Sequence, residues 1–336
     1  METVYVDRII DSISPEMGQS KPMGIKASND KKYLLKTQLV NIEPYGIIKN
    51  EDAAFAQEII AYELAKELNI PVPGYAVLEV EPEFLTENMD YCFKYHITKP
   101  GLYFGTEFIP DIQKKIMENY KTEQKCKYKH AAQKLTSAFD VSNSQAYADI
   151  IALDCFLLNG DRFTNQGNLI ITSGTRKDRK VYAIDFGHCF FSPYWNNEKK
   201  ELFNKLLSNP KDTDQFTNYC INIMLSIGQN CKKNPFGDVF SKMENYIYFK
   251  NTNPFSDIVK KIENISTSKL RQILYNVPDE WMVDGDFERD KYISFLSLNK
   301  HNVRKVITLM YNAHAFRHSN KGDELKWPIE KTIGIQ

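Results

Sequence analysis

Two acidic loops, separated by the length of one β-hairpin, constrain this chain more than any other feature. Asp161 lies in the run Asn-Gly-Asp-Arg-Phe-Thr-Asn-Gln-Gly-Asn that spans 159–168, and Asp185 opens the run Asp-Phe-Gly. Between them stand two short apolar runs, Leu169–Thr172 and Lys180–Ile184, with a charged turn from Ser173 to Arg179. Short apolar runs around a polar, glycine-bearing turn predict a hairpin. A hairpin brings its ends together, so Asp161, an asparagine amide and Asp185 converge at one mouth. Oxygen ligands of this kind suit Mg²⁺, which is held by one or two carboxylates together with substrate phosphates. Phosphoryl transfer uses such a metal, a residue that orients the acceptor hydroxyl, and a lysine on the phosphates. Lys36, on the predicted strand Tyr33–Thr37, is the candidate lysine. The acid to hold it comes from the next helix, at Glu58 or Glu63.

The rest of the chain supplies a scaffold for these parts. Val4–Ile10 reads as a strand. Met23–Ala27 and Tyr33–Thr37 read as a hairpin with Asn29 and Asp30 at its tip. A helix follows, with Asp52 as its cap. Ala53, Ala56, Ile60, Leu64 and Leu68 share one face, while Phe55, Ile59 and Tyr62 add a second, so the helix packs on more than one side. Asn69 ends it, and Pro71 and Pro73 prevent its return. Tyr75–Val80 is a strand, with Asp90–Thr98 as its expected partner. The glycine-punctuated Gly101–Ile109 reads as a crossover between two lobes. Helices are expected over Ile109–Tyr120, His130–Phe139 and Asn143–Asn159, and again beyond Asn196. Asp154 falls on the apolar stripe of the third of these, where a carboxylate needs partners; bracing the following loop would supply them. Arg162 reads as a brace of the same loop.

Composition removes several classes. The 336 residues carry 43 Lys+Arg against 43 Asp+Glu, so the basic excess of a nucleic-acid binder is absent. Hydrophobic residues make up 42%, enough for a substantial core. The cysteines at 92, 126, 155, 189, 220 and 231 never fall in C-x-x-C spacing, which predicts reduced thiols and suits a reducing cytoplasm. Met1–Ser12 lacks the apolar stretch of a signal peptide, and the apolar run at 150–158 is broken by Asp154, so no membrane segment is expected. Neither a Walker-A sequence nor a G-x-G-x-x-G is present. His314 and His318 have helical metal-ligand spacing but lack an evident third ligand, so they read as a solvated face.

Several blocks together resemble the HipA-like kinases, a bacterial branch of the protein-kinase-like superfamily. Ser20–Thr37 resembles that family's first hairpin and lysine strand. Phe55–Pro73 resembles its acid-bearing helix with a proline-rich exit, and Gly101–Phe108 its F-G-[ST] segment. The Asn-Gly-Asp-Arg and Ile-Asp-Phe-Gly runs resemble its catalytic and metal loops, and Pro278–Trp281 a C-terminal family feature. The resemblance implies an α+β, two-lobed protein-kinase-like fold. Residues 1–105 would form a small antiparallel-sheet lobe with one helix, and 106–336 a mainly helical lobe. It implies transfer of the ATP γ-phosphoryl group, with Mg²⁺, to a Ser or Thr hydroxyl of a protein. Lys36 would contact the phosphates, Glu58 would pair with Lys36, Asp161 would orient the hydroxyl and Asp185 would bind the metal. The adenine would meet backbone at Glu107, Phe108 and Ile109. Loop Gly18–Ser28 would cover the phosphates and carry autophosphorylation at Ser20 or Ser28. Related kinases place a metal-binding Asn five residues after the catalytic Asp, where this chain has Gln166. A loop one residue shorter makes Asn165 the ligand; Asn168 comes two residues late. Phe163 replaces the family's usual His or Thr. Three rival readings remain: an inactive nucleotide-binding module, a kinase of small molecules or lipid headgroups, and, by family analogy, a component with an antitoxin-like partner.

Overall fold

The computed structural model describes residues 3–14, 21–42, 46–113, 139–208, 213–228, 234–250, 252–319 and 324–328. Five strands close into a barrel: β1 (Thr3–Ile9), β2 (Met23–Ala27), β3 (Lys32–Leu35), β6 (Tyr75–Val80) and β7 (Gly101–Glu107), in the order β1-β2-β3-β7-β6. A two-stranded ribbon, β4 (Leu39–Ile42) with β5 (Ile47–Asn50), stands apart from it. The β2–β3 hairpin forms as expected, with Lys26 opposite Lys32 and Asp30 in the left-handed region at φ 65°. The expected purely antiparallel sheet does not: β1 runs parallel to β6, Val4 facing Leu78, and this seam closes the barrel.

Two expectations about the sheet are corrected. Asp90–Thr98 is not the partner of β6. Its first half is helical, α3 (Met89–Lys94), following the short α2 (Pro82–Glu87). Tyr91 and Phe93 alternate as strand residues would, but both are about half exposed while Cys92 between them is buried. The true partner is β7, which the glycines disguised as a connector. It pairs with β6 on one edge, Val77 facing Phe104, and with β3 on the other, Leu35 facing Gly105. Gly105 is needed there because a Cβ would lie 2.3 Å from Leu78 Cδ1. Among the described residues up to 105, where one helix was expected, there are thus two short helices besides the long one, and a barrel.

Helix α1 (Ala54–Glu67) is buried along nearly its whole length, including Gln57 and Glu58. Asp52 does not cap it. Its carboxylate accepts from the Trp195 amide, 2.8 Å, so the helix start is tied to a distant segment. Asn69 ends the helix as expected, at φ 59°. Phe55 packs against Phe104 and, at 5.0 Å between centroids, against Trp281 of the Pro278–Trp281 turn.

The remaining described chain is mainly helical around α4 (Ala146–Leu157), in which every residue but Asp149 is buried. The hairpin β8 (Leu169–Ile171) and β9 (Val181–Ala183) follows it, with Leu169 opposite Ala183. Then come α5 (Asn197–Ser208), α6 (Thr213–Gly228), α7 (Phe240–Met243), α8 (Ser256–Glu263), α9 (Thr267–Tyr275), α10 (Gly285–Asn299) and α11 (Val303–Asn312). Asn299 on α10 donates to the Cys155 and Phe156 carbonyls, at 3.1 and 2.7 Å, and so closes the end of α4. Of the helix expected over Ile109–Tyr120, residues 109–113 are not helical: the chain bends at 110–111, with Asp111 at φ 53°, and Ile112 is bridged to Thr172. Residues 114–138, which hold its remainder and most of His130–Phe139, lie outside the described residues, as do Cys126 and Cys231. Cys92, Cys155, Cys189 and Cys220 are free, buried thiols. Among the described residues, no helix is long and apolar enough to cross a membrane.

Candidate active site

Lys36 continues the line of β3, its amide donating to the Phe104 carbonyl at 2.8 Å. Its ammonium lies 2.5 Å from Glu58 Oε1 and 3.0 Å from Asp185 Oδ1. Burial works against this charge, but the Asp185 and Glu58 carboxylates prevail and raise the ammonium above its ordinary range. Burial also pushes Glu58 up, against Lys36. At Asp185 burial acts upward too, yet Lys36 overcomes it and holds the carboxyl below its ordinary value. The other Glu58 oxygen accepts the Phe186 amide at 3.0 Å. One carboxylate thus holds the lysine with one oxygen and the backbone after Asp185 with the other. Glu63, the alternative acid, instead accepts from Tyr75 Oη, 2.8 Å, and Lys66, 3.2 Å.

Helix α4 ends with Leu158 at φ 51°, which turns the chain into the loop that carries Asp161. The loop is held from below by a fully buried pair, Arg162 Nε to Asp154 Oδ2 at 3.0 Å, with Asn159 Nδ2 donating to Asp154 Oδ1 at 3.1 Å. Arg162 Nη1 also reaches the Asn168 carbonyl and, at 2.6 Å, the Ile184 carbonyl. Its guanidinium covers the Phe186 ring at 4.4 Å. Arg162 therefore ties both acidic loops together, the bracing role expected of it. Phe163, which replaces a polar residue, is wholly buried 5.0 Å from Phe240 and anchors the loop to α7.

Asp161 and Asp185 converge as the hairpin requires, for the Ile184 amide donates to the Asn168 carbonyl at 3.1 Å. The two asparagines part company. Asn165 Oδ1 accepts from the Gly167 amide, 3.0 Å, and so caps its own turn. Asn168 Nδ2 donates to Asp161 Oδ2 at 2.6 Å, and its Oδ1 is buried without a hydrogen-bond partner. A buried orphan amide oxygen on a side chain bonded to Asp161, at the hairpin mouth that Asp185 closes, is an oxygen donor of the kind a hard cation takes. Gln166 lines a small cavity with Phe139, Asp238, Val239 and Lys242. Asp185 sits at φ 61° with 39% of its side chain exposed, and Gly187 passes close to α1, where a Cβ would come 3.2 Å from Ala54 Cβ.

The adenine expectation fares unevenly. The Glu107 amide donates to the Gly74 carbonyl and the Phe108 amide to the Lys32 carbonyl, at 2.7 and 2.8 Å, so the barrel uses both. The Glu107 carboxylate pairs with Lys31 at 3.1 Å. Ile109 is the one of the three whose amide takes no part in these bonds. Gly18 and Ser20 lie outside the described residues. Ser28 does not belong to a phosphate-covering loop: it sits in the β2–β3 turn, beyond β2, with its Oγ accepting the Tyr5 amide at 3.1 Å. The reason is that residues 23–27 are strand, which carries Ser28 to the other end of the hairpin.

The sequence reading missed one acid. Glu51, between β5 and α1, has a side chain only 12% exposed, 3.6 Å from His188 Nε2. Burial pushes its carboxyl up, with the His188 imidazole opposing and the Asp185 and Asp161 charges reinforcing. Nothing in local pattern marks Glu51, because its neighbour His188 lies far along the chain, just past Asp-Phe-Gly.

A lysine held by a helix carboxylate, a braced loop aspartate and a second aspartate opening Asp-Phe-Gly make up the arrangement of a kinase site. The family model for HipA-like kinases matches residues 6–225, and the chain belongs to that family. Among solved structures, the chain is similar to the crystal structure of CtkA, a proinflammatory kinase of Helicobacter pylori. That similarity has a TM-score of 0.50 at 13% identity and covers 89% of this chain and 94% of the other, so it speaks for the fold alone. No curated protein matches the chain by sequence.

Proposed function

We propose that this HipA-like kinase transfers the γ-phosphoryl group of ATP to a Ser or Thr hydroxyl of a protein. The observation that carries the reading is the joined pair of contacts Lys36–Glu58–Asp185 and Asn168–Asp161 at one hairpin mouth. Lys36 would shift from Asp185 to the nucleotide's phosphates while Glu58 keeps its orientation. Asp161, held by Asn168, orients the acceptor hydroxyl and takes its proton. Asp185 and Asn168 Oδ1 are the residues suited to hold Mg²⁺, whose contribution when bound is to neutralise phosphate charge. This reading places Asn168, rather than Asn165, beside Asp185. Residues up to about 105 act as one lobe over the helical remainder.

The test is incubation with Mg²⁺ and γ-labelled ATP, with and without a generic protein acceptor. Transfer should fall by ~10²–10⁴ in Asp161→Asn and be lost in Lys36→Ala, both variants still folding. Undiminished transfer in Asp161→Asn overturns the role of that residue. Nucleotide binding with no transfer by wild type would favour the inactive-module reading, and label on small hydroxyl compounds alone would favour a small-molecule kinase.

A further inference from the structure

Lys199, on α5, is buried to 2% exposure. Its ammonium donates to the Ser192 carbonyl at 2.8 Å and lies 5.8 and 5.5 Å from the Trp195 and Tyr292 ring centres. No described carboxylate forms an ion pair with it; its main counter-charge is Glu288 on α10, itself buried with Oε1 lacking a partner. The Ser192 carbonyl also accepts from Gln57 Nε2, 2.9 Å, and Gln57 precedes Glu58 on α1. Two more bonds join the same elements: the Ala53 amide to the Pro193 carbonyl, 3.0 Å, and the Trp195 amide to Asp52 Oδ1, 2.8 Å. The start of α1 is therefore clamped to the segment after Asp-Phe-Gly, and Lys199 is the buried cation bonded to the clamp's Ser192 carbonyl.

We infer that Lys199 is a positioning residue: its bond to the Ser192 carbonyl fixes the Ser192–Trp195 segment against α1 and so holds Glu58 in register with Lys36 and Phe186. The inference rests on the proposed kinase reading for its effect on turnover, though not for its effect on structure. A buried ammonium without a carboxylate partner is costly to fold around. Its retention is explained by geometry, since a charge-assisted bond is stronger and more directional than a neutral one. The groups facing it are Glu288 and Tyr292 from α10, Cys189 from the Asp-Phe-Gly segment and Asp52 from the approach to α1. Burial lowers the ammonium to about 7, so raising pH through that value removes the buried charge, which by linkage favours the closed clamp over a solvated one.

Lys199→Met separates this role from a structural one. Methionine fills similar volume without the charge, so the variant should melt no lower than wild type near pH 7. Amide exchange at Ala53 and Trp195, read by hydrogen–deuterium exchange, should nevertheless quicken about tenfold, the size of a lost charge-assisted bond. Turnover should fall, and the step that Lys199 puts into the wild-type activity profile near pH 7 should vanish from the variant's profile. Gln57→Leu should quicken the same amides. Unchanged exchange in Lys199→Met overturns the inference, whatever the activity. A lower melting point with uniformly faster exchange makes Lys199 merely structural and overturns it too. Absent transfer by wild type, with the local exchange change present, refutes the kinase reading and leaves the clamp standing.

Discussion

At the scale of single residues, the site rests on charges that contacts, rather than solvent, keep in place. Asp154 shows what this implies for pH. Burial pushes its carboxyl up to about 6, with the Arg162 guanidinium and Asn159 amide opposing. A carboxyl whose folded value exceeds its unfolded value of about 4 lends stability that is full below the unfolded value and lost as pH rises through the folded one. Asp154→Asn should therefore gain stability relative to wild type between pH 4 and 7, as melting curves would record; parallel curves would mean Asp154 is ionised throughout. Breaking the pair from the other side is harsher: Arg162→Met strands a buried carboxylate and should cost about 3–5 kcal/mol, measured by denaturant unfolding. The asparagines give a third residue-scale test. Asn168→Ala should weaken the thermal shift produced by Mg²⁺ with ATP, and Asn165→Ala should leave most of it. The opposite order would restore Asn165 as the ligand. That Lys36, Glu58 and Asp185 would meet was legible, because their spacing reflects a hairpin and a helix. Which asparagine caps its own turn was not, because counting from Asp161 cannot show it.

Among elements, α1 and the β8–β9 hairpin were read closely, since each carries its signal locally: continuous apolar faces with an Asn stop, and apolar runs around a charged turn. β7 and α3 were misread for one shared reason. Glycine breaks a strand by propensity, yet at 105 it answers a neighbour, Leu78, which lies 27 positions back and across the sheet. Aromatic alternation at Tyr91 and Phe93 imitates a strand although both rings face outward. Local pattern cannot weigh a partner that is distant in sequence. The consequence is measurable. Gly105→Ala forces its Cβ onto the end of the Leu78 side chain and should cost about 1–3 kcal/mol. Combined with Leu78→Ala, the loss should be less than the sum of the two singles by at least ~0.5 kcal/mol. Strict additivity in urea melts would show that the two do not touch.

Over the whole molecule, barrel closure was invisible to the sequence because it depends on one parallel seam between β1 and β6, whose residues are about 70 positions apart in the chain, as Val4 and Leu78 illustrate. Closure leaves the barrel no open edge along which a second chain could pair. The helical remainder meets the chain around the barrel at specific points, among them Trp281 on Phe55 and the Trp195 amide on Asp52. Each lies far along the chain from the motif it supports, which is why Pro278–Trp281 could be noticed as a family feature without its purpose being readable.

The Lys36–Asp185 contact at 3.0 Å has a thermodynamic corollary. A cation arriving at Asp185 must displace the ammonium, and the displaced ammonium finds its best new partner in phosphate oxygens. Each ligand thereby lowers the cost of admitting the other, and linkage makes the two factors equal. Titrating a non-hydrolysable ATP analogue with and without Mg²⁺, and Mg²⁺ with and without the same analogue, should return the same enhancement. In Asp185→Ala that shared factor should collapse towards that of free Mg²⁺–ATP pairing in solution, since the protein would no longer set the two ligands' exchange against one another.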